Sequence, residues 1–300
     1  MIGETRKILL WILSSLILFA PMGFAQKKAL TRTQVESIVK AKSVYLVDTL
    51  TGQVIFERNK NKPYPPASTV KLMTALLAYE LKGGIDGKML IDSTDTRVEP
   101  SHVPLIPGET VAIRDLFRAL LVGSDNDTAL AIARFAGGSY QRFVLLMNDR
   151  ALRLGCERTR FVNPNGLPAS GQFTTAVDLM KIFEATMKVS DLRRICQLPS
   201  FVLETKAGRQ IVKNHNKLLG VYPGMGPAKT GWTYASRHTY AAAATREGRE
   251  LHLIILNSPN KWIDAQTLFD FGFANLPVNE SDKVSRIPSV VSSPTASGRM

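Results

Sequence analysis

Between residues 43 and 56 the apolar positions come in short β-branched runs. Ser43–Asp48 and Val54–Phe56 flank Thr51-Gly52, a pattern that predicts a hairpin. Pro63, Pro65 and Pro66 then interrupt the chain. From Ser68 the period changes: Val70, Leu72, Met73, Leu76, Leu77 and Leu81 share one broad helical face that ends at Gly83-Gly84. The middle of the chain keeps the helical period. Helices are expected over Ile113–Val122, Thr128–Phe135 and Ser139–Gly155, and a fourth is opened by a capping box at Thr175–Asp178. Strand character returns in Phe201–Glu204 and Gln210–Lys213 around Lys206-Ala207-Gly208. It continues in Pro227–Trp232, His238–Thr245 and Leu251–Leu256, with a turn at Glu247-Gly248. Trp262–Phe273 reads as a closing helix, with Trp262 and Phe269 as core residues. Strands near both ends with helices between predict an α/β fold: one antiparallel sheet flanked by helices and interrupted by a mainly helical insertion, with the functional site at the seam.

The first residues change the compartment. Arg6 and Lys7 precede an apolar run, Ile8–Ala20, and small residues end at Ala25. This reads as a secretory signal cleaved after Ala25, the run being short for a membrane span. The expected organisation is a signal at 1–25, one domain over 26–276 with its helical insertion at about 91–199, and a Ser/Pro/Val-rich disordered tail at 277–300. The protein is therefore expected in the periplasm or at the cell surface of a bacterium. The formal net charge is +13. On an exported chain that charge suits peripheral contact with anionic wall or lipid, and the compartment argues against nucleic acid. Cys156 and Cys196 are the only cysteines; export permits a disulfide, and two separate thiols are an equal reading. The four histidines lack metal-ligand spacing, so neither metal nor cofactor is expected.

The candidate chemistry lies in three short motifs: Ser68-Thr69-Val70-Lys71, Ser124-Asp125-Asn126 and Lys229-Thr230-Gly231. Singly they carry little. Ser-x-x-Lys recurs at Ser37 and Ser258, and Ser-x-Asn at Ser258. Their order and spacing, 56 and then 105 residues, set the first-named trio apart. A serine hydroxyl is a weak nucleophile and needs a base. Lys71, one helical turn after Ser68, can serve only if neutral. Burial at the seam and the charge of Lys229 would both push it that way. Ser68 at a helix start offers its own N–H to a developing oxyanion, and Gly231 allows a backbone to approach that strand closely. Arg237, His238 and Asp127 lie beside the motifs and read as structural.

The trio, together with Pro66–Thr74, Leu121–Ala129, Thr159–Leu167 and Asn214–Leu219, resembles the low-molecular-mass penicillin-binding proteins, the serine D-alanyl-D-alanine carboxypeptidases and their endopeptidase relatives. The resemblance spans roughly residues 40–275 and implies a β-lactamase/transpeptidase-like fold. It implies Ser68 as nucleophile, Lys71 as base, Ser124 as proton relay and Asn126 as a ligand of the substrate amide. It assigns Lys229 and Thr230 to the substrate carboxylate, and the Trp232 N–H, after Gly231, as second oxyanion donor. The implied partners are peptidoglycan peptides, with β-lactams as covalent inhibitors. The implied reaction is removal of a terminal D-Ala; cleavage of cross-links by the same site is the alternative, and a wall-binding homologue or a β-lactamase ranks lower. Asp125 stands where many of these carboxypeptidases carry a small residue. The Glu-x-x-Leu-Asn element of class A β-lactamases is missing from 161–165, which disfavours fast β-lactam hydrolysis.

Overall fold

The computed structural model describes residues 29–98, 103 and 105–276. The expected signal at 1–25 and tail at 277–300 lie outside them. Helix α1 (Arg32–Ile38) opens with a capping box between Thr31 and Gln34. It leads into β1 (Ser43–Asp48) and β2 (Val54–Arg58), the predicted hairpin. A 3-10 turn (Ala67–Val70) runs directly into α2 (Lys71–Lys82), which stops where Gly83 takes the left-handed conformation, φ 72°. A small hairpin of β3 (Lys88–Leu90) and β4 (Thr110–Ala112) precedes α3 (Ile113–Arg118), α4 (Asn126–Gly137), α5 (Tyr140–Arg153), α6 (Ala176–Met187) and α7 (Ser190–Cys196). Then come β5 (Ser200–Thr205), β6 (Gly208–Lys213), β7 (Met225–Thr233), β8 (Arg237–Arg246), β9 (Arg249–Ser258) and α8 (Lys261–Ala274).

One antiparallel sheet in the order β2-β1-β9-β8-β7 carries the fold. Its strands come from the two ends of the sequence, as expected. Both faces are covered, and the strands show it by alternation. In β8, Ala241 and Ala243 face the helical layer, while Tyr240, Ala242 and Ala244 face α1 and α8. In β9, Ile254 and Leu256 take the first face, and Leu251, Leu253 and Ile255 the second. The alanines of β8 let helices on both sides approach the sheet closely.

The structure corrects several details. β5 and β6 pair only with each other, as a separate ribbon beside the helical layer. The expected helix Ile113–Val122 stays α-helical only to Arg118; Ala119–Gly123 widens into a π turn. The capping box at Thr175 is half realised. Thr175 accepts from the Asp178 N–H, but the Asp178 carboxylate turns to the Arg158 N–H and the Thr159 hydroxyl. Trp262 is partly exposed, edge-on to Tyr240, whereas Phe269 is fully buried. Cys156 and Cys196 are free, buried thiols, and burial pushes each up to about 12. No helix among the described residues is long and apolar enough to cross a membrane.

Candidate active site

Ser68 lies in the 3-10 turn before α2, held between two glycines. A Cβ on Gly166 would lie 2.0 Å from the Ala67 carbonyl oxygen and 2.9 Å from the Ser68 nitrogen. A Cβ on Gly231, in β7, would lie 2.8 Å from that same nitrogen. Only glycine allows either backbone so close. Ala67 itself sits at φ 48°, a costly conformation for a residue with a Cβ, held by the contacts around it. Thr239 in β8 donates to the Pro66 carbonyl at 3.0 Å and fixes the turn from the sheet side.

Lys71 begins α2, fully buried. Its Nζ reaches Asn126 Oδ1 at 2.8 Å, the Asn165 carbonyl at 2.6 Å and Ser68 Oγ at 3.1 Å. A neutral amine has two N–H bonds and one lone pair. Two of these partners can only accept, and Ser68 is the one that can also donate. Neutral Lys71 therefore places its lone pair on the serine proton. Burial drives Lys71 well below the ordinary lysine range, and the nearby Lys229 cation pushes the same way against a smaller opposing pull from Asp125. Both causes anticipated from the sequence operate here.

The second motif arrives by way of the π turn. That turn ends with Ser124 in the left-handed region, φ 58°, and α4 begins at Asn126. Ser124 and Asn126 therefore face the seam from opposite sides of one sharp bend. α4 starts two residues before the expected helix because Asp125 caps it, accepting from the Thr128 N–H at 2.8 Å.

Lys229 comes from β7, the edge strand of the sheet. Its Nζ donates to Ser124 Oγ at 2.8 Å and to the Thr230 carbonyl at 2.9 Å. It is buried, and burial lowers it to about 7; Lys261 adds to the fall and Cys196 opposes it. Thr230 is buried beside it, while Trp232 is 46 % exposed at the rim and packs edge-on against Tyr234. All eight residues anticipated from the three motifs thus lie along one seam between the sheet and the helical layer.

Sequence reasoning singled out Thr159–Leu167 for its resemblance but gave no site role to this loop, which closes the far side. Asn165 contributes a carbonyl, which no side-chain motif can announce. Asn163 Oδ1 accepts from the Gly166 N–H at 2.8 Å, Gln172 also bonds Asn163, and Thr74 holds the Pro164 carbonyl at 2.7 Å. The signal available was the Asn-Pro-Asn-Gly run, strong turn chemistry. His238, expected to be structural, takes the Lys261 ammonium at its Nδ1 at 3.0 Å. It is lowered to about 4 by burial and by Lys261 and Arg237.

The chain is also similar to known proteins over most of its length. The family profile described as D-alanyl-D-alanine carboxypeptidase matches residues 29–260. The D-alanyl-D-alanine carboxypeptidase DacB2 of Mycobacterium tuberculosis is 36% identical over 245 residues, 79% of this chain and 84% of that protein. A D-alanyl-D-alanine endopeptidase of Escherichia coli is 25% identical over 254 residues, 81% of this chain and 79% of that protein. Among solved structures, a D-alanyl-D-alanine carboxypeptidase from Mycobacterium tuberculosis superposes with a TM-score of 0.74 at 36% identity, covering 79% of this chain and 92% of that one. A variant of a Streptomyces DD-transpeptidase does so with a TM-score of 0.75 at 27% identity, covering 79% and 98%. The β-lactamase/transpeptidase-like fold expected from the motifs is the fold of these neighbours. With the profile covering most of its length, the chain belongs to the D-alanyl-D-alanine carboxypeptidase family of serine peptidases.

Proposed function

We propose that this protein is an exported serine D,D-carboxypeptidase that removes the terminal D-Ala of peptidoglycan stem peptides, with residues 26–276 as its peptidase domain. The observation that carries the reading is the buried Lys71 amine, its two N–H bonds directed to Asn126 and Asn165 and its remaining position on Ser68 Oγ. The substrate peptide lies along the edge of β7. Lys229 and Thr230 take its terminal carboxylate, and the anion restores the Lys229 proton that burial loosens. Lys71 removes the Ser68 proton as Oγ attacks the carbonyl of the penultimate D-Ala. The oxyanion sits between the N–H groups of Ser68 and Trp232. Ser124, bonded to Lys229, passes a proton to the departing amine of D-Ala and is reprotonated with the one Lys71 took from Ser68, which leaves Lys71 neutral again, and Asn126 holds the substrate amide. Water then releases the acyl group from Ser68, returning the serine proton through Lys71. β-Lactams acylate the same serine.

Brief exposure to benzylpenicillin followed by intact-mass measurement tests this. Wild type gains one equivalent and Ser68→Ala gains none; D-Ala release from a stem pentapeptide disappears in the same variant. An Ser68→Ala protein that still releases D-Ala overturns the assignment. Relatives named endopeptidases support a second reading with the same site. Purified cross-linked dimer muropeptides separate the two, because only an endopeptidase converts them to monomers.

A further inference from the structure

Asp125 is the one charged residue of the second motif, and its geometry shows what the charge is bonded to. Asp125 stands between the two residues of its motif that face the seam, yet its own side chain turns away and is completely buried. One carboxylate oxygen accepts from the Thr128 N–H at 2.8 Å and the Thr128 hydroxyl at 2.7 Å; the other accepts from the Val103 N–H at 2.9 Å. The Asp125 N–H donates to the Ala119 carbonyl at 3.2 Å, across the whole π turn. One residue thus ties together the end of the π turn, the start of α4 and the chain at Val103. Alanine or glycine could form none of the three carboxylate bonds, and serine at most the cap to the Thr128 N–H.

We infer that Asp125 is a positioning residue for acylation, fixing the bend that presents Ser124 to Lys229 and Asn126 to Lys71, and holding a negative charge behind Lys71. The inference rests on the catalytic reading above. Lys71 is faced by neutral groups from three sides, namely Ser68, Asn126 and the Asn165 carbonyl. The charged groups acting on it are Lys229 from β7 and Asp125 at the start of α4; Asp127 is also buried in the first turn of α4. The Asp125 carboxylate opposes the push from burial and Lys229. Its removal leaves an amine that gives up its proton at lower pH.

The test is the second-order rate of benzylpenicillin acylation against pH, measured on the full chain by intact mass for wild type, Asp125→Asn, Asp125→Ser, Asp125→Glu and Thr128→Ala. Acylation needs neutral Lys71, so the rate rises with pH through the Lys71 titration. Without the carboxylate charge this acid limb moves down by about one pH unit. The two neutral replacements make the comparison independent of one variant's folding. Asp125→Glu returns the limb toward wild type. Thr128→Ala weakens the cap but keeps the charge, and leaves the limb in place. If the neutral variants lose rate evenly at every pH with the limb unmoved, Asp125 is a helix cap alone and the inference fails. A wild type that forms no Ser68 adduct would instead refute the catalytic reading.

Discussion

Two sets of buried charge lie at opposite ends of the same sheet, and they are built on opposite rules. Along the seam at β7, Lys71 and Lys229 are buried together and bonded to hydroxyls, amides and carbonyls. At the other end, where β9 begins, the charges are paired with their opposites. Arg249 bonds the fully buried Asp48, and Glu250 takes both Arg193 and His252, with Glu184 facing the other side of that imidazole. The first arrangement lowers both lysines. In the second, burial pushes Glu250 up, but bonds from His252 and Arg193 outweigh it and hold the carboxyl at about 2. Burial likewise pushes His252 down, and Glu184 and Glu250 outweigh it and raise it. Like charges buried together, with Asp125 pulling only weakly against them, make reactive groups; opposite charges joined make a fastening.

The sharpest way to break the comparison is to remove one member from each set. Lys71→Met should reduce benzylpenicillin acylation by about 1,000-fold or more, as expected when a serine loses its base. Its thermal unfolding should stay cooperative, because the lost amine was not fastening the fold. Arg249→Met should do the reverse. It leaves Asp48 buried without its cation, held only by the Thr51 hydroxyl and the Leu50 N–H, at a cost of about 3 kcal/mol in urea-unfolding stability, while the acylation rate per folded molecule stays at the wild-type value. A catalytic defect in the Arg249 variant equal to that of the Lys71 variant would erase the distinction.

The smallest effect sharpens it further. His252 has its folded value raised, so its contribution is complete below its unfolded value of 6.5 and is lost as pH rises through the folded one. Glu250 has its folded value lowered, so its contribution is present above 4.5 and fades as pH falls toward about 2. The pair therefore fastens best between 4.5 and 6.5. His252→Gln should lower the melting temperature by a few degrees in that window and less at pH 8. Equal losses at both pH values would show that packing against Phe183, rather than charge, is what His252 supplies.

How much of this was legible depended on whether the information sat in side chains. Ser68, Lys71, Ser124, Asn126, Lys229 and Gly231 announce themselves by type and order, and β8 and β9 by their apolar runs. The bend at Ser124 did not, because a π turn is one residue of surplus winding inside an ordinary apolar helix pattern. The Asn165 carbonyl carries no residue signature at all. Helix α1 was overlooked although Thr31 and Gln34 form a complete capping box, since a seven-residue helix with one buried side chain shows little periodicity. The ribbon β5–β6 was recognised as strand but not as separate from the main sheet, because pairing partners are set by tertiary packing.

The edge position of β7 has one more consequence. A strand with an open outer rim, on which the proposed function seats a peptide, is equally receptive to a strand from another copy of the protein, the usual route to aggregation. Here the receptive stretch is short. Pro227, which has no N–H to give, and the register shift between Met225 and Ala228 interrupt it at one end. The strand stops at Thr233 at the other, and Lys229 within it points a charge inward. The same few residues that would seat a stem peptide in the proposed function therefore ration the protein's adhesiveness: their open stretch is too short and too interrupted to zip onto a neighbour.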